Sequence, residues 1–157
     1  MTSHFLSRTG AVLMLALLGG ATASAQSQDQ AEGDIRAALM KWTGDFNARN
    51  MSEVCDLFAP DLRYDFQGFP ERGYDDICKL LRTSLSDTRK RFTYLPPTIK
   101  EIIVSGDLAV VRLTWTLKVR SEGTPGDVTS QDTGLDVFRR QPDGRWKIIR
   151  YIAFEAP

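Results

Sequence analysis

Hydrophobic residues recur with two different periods along this chain. Between residues 29 and 49 they return every three or four positions, which predicts an amphipathic helix with one buried face. A short second helix is predicted over 53–58, where Ser52 suits its N-terminus and Pro60 ends it, and a third is predicted over 74–86. The apolar stripes of the first and third helices are Ile35, Leu39, Trp42 and Phe46, and Ile77, Leu80, Leu81 and Leu85.

The remaining segments alternate between apolar and polar residues, which predicts β-strands. Residues 62–66 form a half-buried strand between the second and third helices. Residues 92–104 are extended but interrupted by Pro96 and Pro97, as in an edge or bulged strand. A long strand follows over 109–119. Three helices followed by an antiparallel meander predict an α+β fold whose helices cover one face of the sheet.

The end of the chain predicts a β-hairpin. Strands at 134–140 and 145–154 flank Pro142-Asp143-Gly144, which suits a type I turn followed by a glycine in the left-handed conformation. Such a three-residue loop pairs Gln141 with Arg145, and this pairing sets the register of the whole ladder.

That register places Asp136 opposite Arg150 and Phe138 opposite Ile148. The inner face of the hairpin is then expected to carry Phe138, Trp146, Ile148, Ile152 and Phe154, and the outer face Leu135, Val137, Ile149 and Tyr151. An outer face this apolar is unusual for a solvated sheet, so we expect a homodimer formed through it.

The N-terminus has the pattern of a secretory signal peptide. Arg8 precedes an apolar run at 11–18, and Ala23-Ser24-Ala25 is a small-residue cleavage site. We therefore expect residues 1–25 to be removed and 26–157 to form one domain in the periplasm or outside the cell. A retained membrane anchor is the alternative, but the apolar run is too short to span a bilayer.

Charge and histidine content exclude several functional classes. The chain has 20 Lys and Arg and 20 Asp and Glu, mixed along its length, so we expect no binding of nucleic acid or of a membrane surface after signal cleavage. Its single histidine, His4, leaves with the signal peptide. We therefore expect no histidine-based catalysis, no metal site and no cofactor.

Two cysteines, Cys55 and Cys78, remain in the exported domain. Each flanks an apolar helix face, and the oxidising compartment favours a disulfide bond between them. Two buried thiols are the alternative, because the sequence does not show whether the two side chains meet.

Four segments resemble the nuclear transport factor 2-like superfamily, which includes SnoaL-like and ketosteroid isomerase-like proteins. They are residues 46–54, 57–61, 104–111 and 138–148, and the resemblance extends over 34–154. It implies a cystatin-like cone, in which three N-terminal helices pack on a curved antiparallel sheet around an apolar cavity. The superfamily contains enzymes and non-enzymes, so the resemblance implies the fold more strongly than an activity.

The functional residues of the family can be compared with this chain position by position. Ketosteroid isomerases have a tyrosine where this chain has Trp42, an aspartate base where it has Phe66, and a second, protonated aspartic acid where it has Asp136. Asp65, next to Phe66, points to the other face of its strand. Only one of the three positions is retained, which argues against steroid isomerisation. The Asp-Arg-Asp set of related epoxide hydrolases is incomplete as well, with only Asp136 and Arg150 placed.

Asp136, Tyr64 and Arg150 are the candidate catalytic residues. Asp136 and Arg150 bind a polar group of a ligand in one interpretation and form a self-satisfied ion pair in the other. Tyr64 is the candidate proton donor. Aromatic residues expected either to line a ligand pocket or simply to fill the core are Trp42, Phe46, Phe66, Trp115 and Phe138.

Three functional hypotheses remain open. The first is an exported protein that holds a small apolar or amphipathic molecule in its cone. The second is a cofactor-free isomerase, cyclase or hydratase that uses Asp136 with Tyr64 or Arg150. The third is a homodimer with a filled cone and a structural or partner-binding role.

Overall fold

The computed structural model describes residues 20–156, with side chains from residue 27 onward. The expected signal peptide lies outside this range except for residues 20–25, which form the start of the first helix. No helix in the described range is both long enough and apolar enough to cross a membrane.

Two helices and seven strands make up the described part of the chain. In chain order they are α1 (Gly20–Asn47), β1 (Phe58–Phe66), β2 (Arg72–Gly73), α2 (Tyr74–Ser86), β3 (Lys90–Tyr94), β4 (Thr98–Ser105), β5 (Leu108–Ser121), β6 (Val128–Arg140) and β7 (Trp146–Glu155). This is the predicted α+β class, and the helix predicted over 74–86 is confirmed as α2.

The expected second helix over 53–58 is wrong. Residues 51–57 form successive turns, in which the amide of Val54 donates to the carbonyl of Asn50 and that of Phe58 to the carbonyl of Cys55. The segment is too short to form a stable helix by itself. At Phe58 the chain is already entering β1, so that strand begins earlier than the alternation predicted.

The seven strands form one curved, mixed sheet in the order β2-β1-β7-β6-β5-β3, with β4 also pairing with β5. The first half of β5 pairs with β4 and its second half with β3. The single interrupted strand expected over 92–104 is therefore two strands, separated by the prolines at 96 and 97. β1 runs parallel to β7, whereas every other pair is antiparallel. The expectation of a fully antiparallel sheet is therefore wrong at one pair, because no hairpin joins β1 to β7 and fixes their relative direction.

The turn of the final hairpin has the predicted geometry. The amide of Gln141 donates to the carbonyl of Arg145 at 2.8 Å, and Gly144 has a φ of 85°. Only glycine adopts this left-handed conformation without steric cost. The predicted pairing of Phe138 with Ile148 is confirmed.

Beyond that pair the register shifts by one residue. Phe138 pairs with Ile148, but Val137 pairs with Arg150 and Asp136 with Tyr151, so Ile149 is the extra residue of a β-bulge. The expected pairing of Asp136 with Arg150 is therefore wrong.

The bulge exchanges the two faces of β7, because neighbouring strand residues point in opposite directions. Tyr151, expected on the outer face, lies on the inner face beside Asp136. Ile152 and Phe154, expected inside, are 57% and 48% exposed. Leu135, which pairs with Ile152 and is 40% exposed, lies on the outer face as predicted.

The helices and the inner face of the sheet enclose the core. Fully buried side chains from both layers meet there, including Ile35 and Leu39 of α1 and Val111, Leu113 and Phe138 of the sheet. A disulfide bond joins Cys55 to Cys78, whose Cα atoms are 5.5 Å apart. This bond ties the turns before β1 to α2, and it settles the alternative between a disulfide and two thiols.

Candidate functional site

A cavity of about 110 Å³ lies between the two helices and the inner face of the sheet. The helices supply Trp42, Ile77 and Leu81, and the sheet and the turns before it supply the other walls. The residues of these other walls are Leu57, Phe58, Phe66, Tyr94, Trp115, Asp132, Gly134, Asp136, Ile148, Tyr151 and Ala153. The lining is thus mainly apolar and aromatic, with two carboxyl groups, and it contains no lysine or arginine.

Asp136 is the most unusual group in this lining. It lies on the inner face of β6, between Val111 of β5 and Tyr151 of β7, and it is only 4% exposed. Within the described chain no group forms an ion pair or a hydrogen bond with its carboxyl. Burial without a partner raises the pKa of Asp136 to about 7, because the charged form loses its hydration.

Two tyrosines lie in line with Asp136 on the next two strands of the sheet. Tyr64 of β1 pairs with Tyr151 of β7, and their rings stack with centroids 4.4 Å apart. The hydroxyl of Tyr64 is buried and has no hydrogen-bond partner in the described structure. Burial raises the pKa of Tyr151, and Tyr64 and Asp136 raise it further. Tyr64, Tyr151 and Asp136 therefore lie in one row across three strands.

The more exposed end of the cavity holds a second acidic group. Asp132 is a half-buried residue that pairs with Trp115 on one side and Glu155 on the other. Burial and the charge of Glu155 raise the pKa of Asp132. Burial together with Asp132 also raises the pKa of the Tyr94 phenol to about 12. This end is therefore negative and aromatic.

Aromatic rings form much of the wall near Asp132. Trp42, Tyr94 and Trp115 contact one another with ring centroids 5.1–5.5 Å apart. The indole N–H of Trp42 donates to the carbonyl of Val54 at 2.8 Å, so it fixes the turns before β1 and is not free for a ligand. Phe66 lines the cavity as well.

Four of the sequence-derived candidates do not line the cavity. Tyr64 is buried and stacks on Tyr151. Phe46 is buried behind the lining, against Trp42 and Tyr94. Phe138 is fully buried in the core. Arg150 is exposed on the outer side and donates to the carbonyl of Asp61 at 3.0 Å. The expected self-satisfied pair of Asp136 and Arg150 is therefore absent, and Asp136 keeps its free carboxyl.

The structure adds residues that the sequence interpretation missed. Asp132 shares the inner face with Asp136 because the two are four residues apart on one strand, so alternation alone would have found it. Tyr151 was placed on the wrong face, and only recognition of the bulge at Ile149 would have corrected this. Tyr94 was treated as part of an interrupted edge strand without a role.

A larger, open groove of about 600 Å³ lies between α1 and the turn of the final hairpin. Its three cations, Lys41, Arg145 and Lys147, are all paired with carboxylates of the groove. Lys41 pairs with Asp45 at 2.7 Å and with Glu53 at 3.2 Å, and Arg145 and Lys147 both pair with Asp56. Because the acid of the smaller cavity has no such partner, the smaller cavity is the candidate site. Among the described residues no three His, Cys, Asp or Glu side chains come together as metal ligands would.

Comparison with known proteins gives a family match and similar folds. Residues 32–149 match the family model for the SnoaL-like domain. No curated protein matches the chain. Among solved structures, a conserved protein from Planctomyces limnophilus is 19% identical with a TM-score of 0.70, covering 82% of this chain and 98% of its own.

Two further structures show the same fold. A ketosteroid isomerase-like protein from Erwinia carotovora atroseptica is 22% identical with a TM-score of 0.61, covering 80% of this chain and 96% of its own. An NTF2-like protein with a cystatin-like fold from Novosphingobium aromaticivorans is 19% identical with a TM-score of 0.66, covering 85% and 87%. At these identities the likeness concerns the fold alone.

Proposed function

The chain belongs to the SnoaL-like domain family, and from that premise we propose that it binds a small, mainly apolar molecule in the cavity between its helices and its sheet. Asp136 and Tyr151 meet the polar group of that molecule, and Tyr64 supports Tyr151 from behind. The observation that carries this proposal is the buried carboxyl of Asp136, which has no partner among the described residues. A buried polar group without a partner is costly, and a bound ligand would supply one.

The size of the cavity limits the ligand to about one ring. Pockets for drug-sized molecules enclose roughly 300–1,000 Å³, whereas an apolar cavity of about 150 Å³ holds benzene. The cavity here measures about 110 Å³ and is partly open, so a single ring enters with the rest of the ligand outside the enclosed volume. A steroid exceeds it, which agrees with the loss of two of the three isomerase residues at Trp42 and Phe66.

A variant that fills the cavity tests this proposal. Ala153 lines the cavity, so Ala153→Leu places a larger side chain where the ligand would lie. We expect wild-type protein to bind benzyl alcohol, detected by the fluorescence of Trp42 and Trp115, and the variant to bind it at least about tenfold more weakly, a loss of about 1.4 kcal/mol.

Ile152→Leu is the matched control, since Ile152 is the preceding residue on the outer face of the same strand. Equal binding of benzyl alcohol by Ala153→Leu and the wild type, or failure of the wild type to bind both benzyl alcohol and its amine analogue benzylamine, would contradict the proposal.

A cofactor-free enzyme, such as an isomerase, cyclase or hydratase, is a second candidate function. Its support is the pKa of about 7 at Asp136, next to the phenol of Tyr151, because proton transfer is most efficient when the pKa lies near the working pH. Turnover of a bound molecule that disappears in Asp136→Asn would distinguish this enzyme from a protein that only binds.

Two further proposals concern the cellular location and the oligomeric state of the domain. We propose that it is exported to the periplasm or secreted, and the disulfide bond between Cys55 and Cys78 supports this because such bonds persist in oxidising compartments. We also propose a homodimer formed through the outer faces of β6 and β7, where Leu135, Ile152 and Phe154 form an exposed apolar patch.

A further inference from the structure

We propose that the cavity selects a small organic cation, a protonated amine carried on a single ring, over neutral and anionic molecules of the same shape. This inference rests on the proposed binding function and names the class of ligand. It follows from the signs of the charges around the cavity, from the aromatic walls and from the oxygens grouped at Asp136.

Every ionisable group that lines the cavity is an acid. These groups are the carboxyls of Asp132 and Asp136 and the phenols of Tyr94 and Tyr151. No lysine or arginine lies among the described lining residues, and Arg150, the cation expected there, is on the outer side. An anionic ligand would therefore find no positively charged partner, whereas a cation finds at least one carboxylate.

The buried end suits an ammonium group in particular. An ammonium donates three hydrogen bonds and accepts none. Asp136 and Tyr151 are neighbours across β6 and β7 and both line the cavity, and the ring of Tyr64 stacks on that of Tyr151. A contacting cation also removes the main cost of ionising Asp136, because it replaces the hydration that burial takes away.

The other end of the cavity, at Asp132, also attracts cations. Asp132 lies four residues before Asp136 on β6, about 13 Å away along the strand. Glu155 is its cross-strand neighbour, and Trp115 and Tyr94 line the wall beside it. Carboxylates and aromatic faces both attract cations, so a protonated amine is favoured along the path towards Asp136.

A neutral hydrogen-bond acceptor is the competing class of ligand, and its affinity would change with pH in the opposite direction. Such a ligand needs protonated Asp136 as a donor and leaves as the pH rises past 7. An amine needs ionised Asp136 and binds more tightly over the same range. The titratable groups facing Asp136 are Tyr151 of β7, Tyr64 of β1 and, further along β6, Asp132; the helices contribute only Trp42, Ile77 and Leu81 to the cavity.

Isothermal titration calorimetry with benzylamine, benzyl alcohol and benzoate tests the inference. At pH 8 we expect benzylamine to bind at least about tenfold more tightly than benzyl alcohol, and benzoate not to bind. Between pH 6 and pH 8 the affinity for benzylamine should rise about tenfold, because the ionised fraction of an acid with a pKa of about 7 rises from about one-tenth to about nine-tenths. Binding at pH 6 should release close to one proton, measured in buffers of different ionisation enthalpy.

Two variants complete the experiment. In Asp136→Asn the affinities for benzylamine and benzyl alcohol should converge, whereas Asp65→Asn, which removes an exposed carboxylate from the other face of β1, should keep the preference for the amine. Benzyl alcohol or benzoate binding as tightly as benzylamine at pH 8, or benzylamine affinity falling as the pH rises, would overturn the cation selectivity and leave the binding site standing. Failure of all three probes to bind would overturn both.

Discussion

At the scale of single residues, Asp136 determines the chemistry of the cavity. Its carboxyl is buried against apolar walls and a tyrosine, and the arginine expected to neutralise it lies outside. A carboxyl in such surroundings holds its proton more tightly in the folded protein than in the unfolded chain. Folding stability must therefore depend on pH through this residue.

The sign of that dependence gives a prediction for Asp136→Asn. The pKa of Asp136 rises from 3.8 to about 7 on folding, so the folded state binds more protons between these values and stability falls as the pH rises through them. At pH 8 the wild type bears the whole cost of the buried charge. The variant should then be more stable by on the order of 4 kcal/mol, since each pKa unit corresponds to about 1.4 kcal/mol.

Urea unfolding at pH 4 and pH 8 measures this difference, which should nearly vanish at pH 4, where Asp136 is protonated in the folded protein. Asp65→Asn, at an exposed position, should change stability little at either pH. Destabilisation of Asp136→Asn at pH 8 would mean that the carboxylate has a partner that stabilises it.

At the scale of elements, features set by local sequence were predicted better than the pairing of the strands was. The stripe over 74–86 and the Pro142-Asp143-Gly144 turn each predicted their structure correctly, because helix periodicity and turn chemistry are local. The bulge at Ile149 was not predictable in this way. Ile148, Ile149 and Arg150 are all acceptable in a regular strand, so nothing local marks the inserted residue.

The bulge also decides which apolar residues form the outer surface of β6 and β7, and the proposed homodimer depends on that surface. Ile152→Asp should turn a dimer into a monomer, because it places a charge in the centre of the patch next to Leu135. Analytical ultracentrifugation measures the change in mass. Ile103→Asp, on β4 and similarly exposed at 56%, is the matched control and should stay dimeric. A monomeric wild type would contradict the proposal.

At the scale of the whole molecule, the sequence predicted the α+β class and the family, since the motifs for both extend over most of the chain. The site was only partly predictable. Asp136, Trp42, Phe66 and Trp115 were found from strand alternation, helix periodicity and the family resemblance, and all of them line the cavity. The row of Tyr64, Tyr151 and Asp136 was not found, because it depends on the pairing of three strands that are distant in sequence and on one inserted residue.

A carbon-13 NMR titration of the Asp136 carboxyl measures its pKa, with Asp136→Asn identifying the signal. We predict a midpoint near pH 7 in the ligand-free protein, because the carboxyl is buried and has no partner among the described residues. Saturating benzylamine should move that midpoint to lower pH, since a cation stabilises the ionised form. A midpoint near the ordinary value of about 4 in the ligand-free protein would contradict the account, because it would mean that the carboxyl is solvated or already paired.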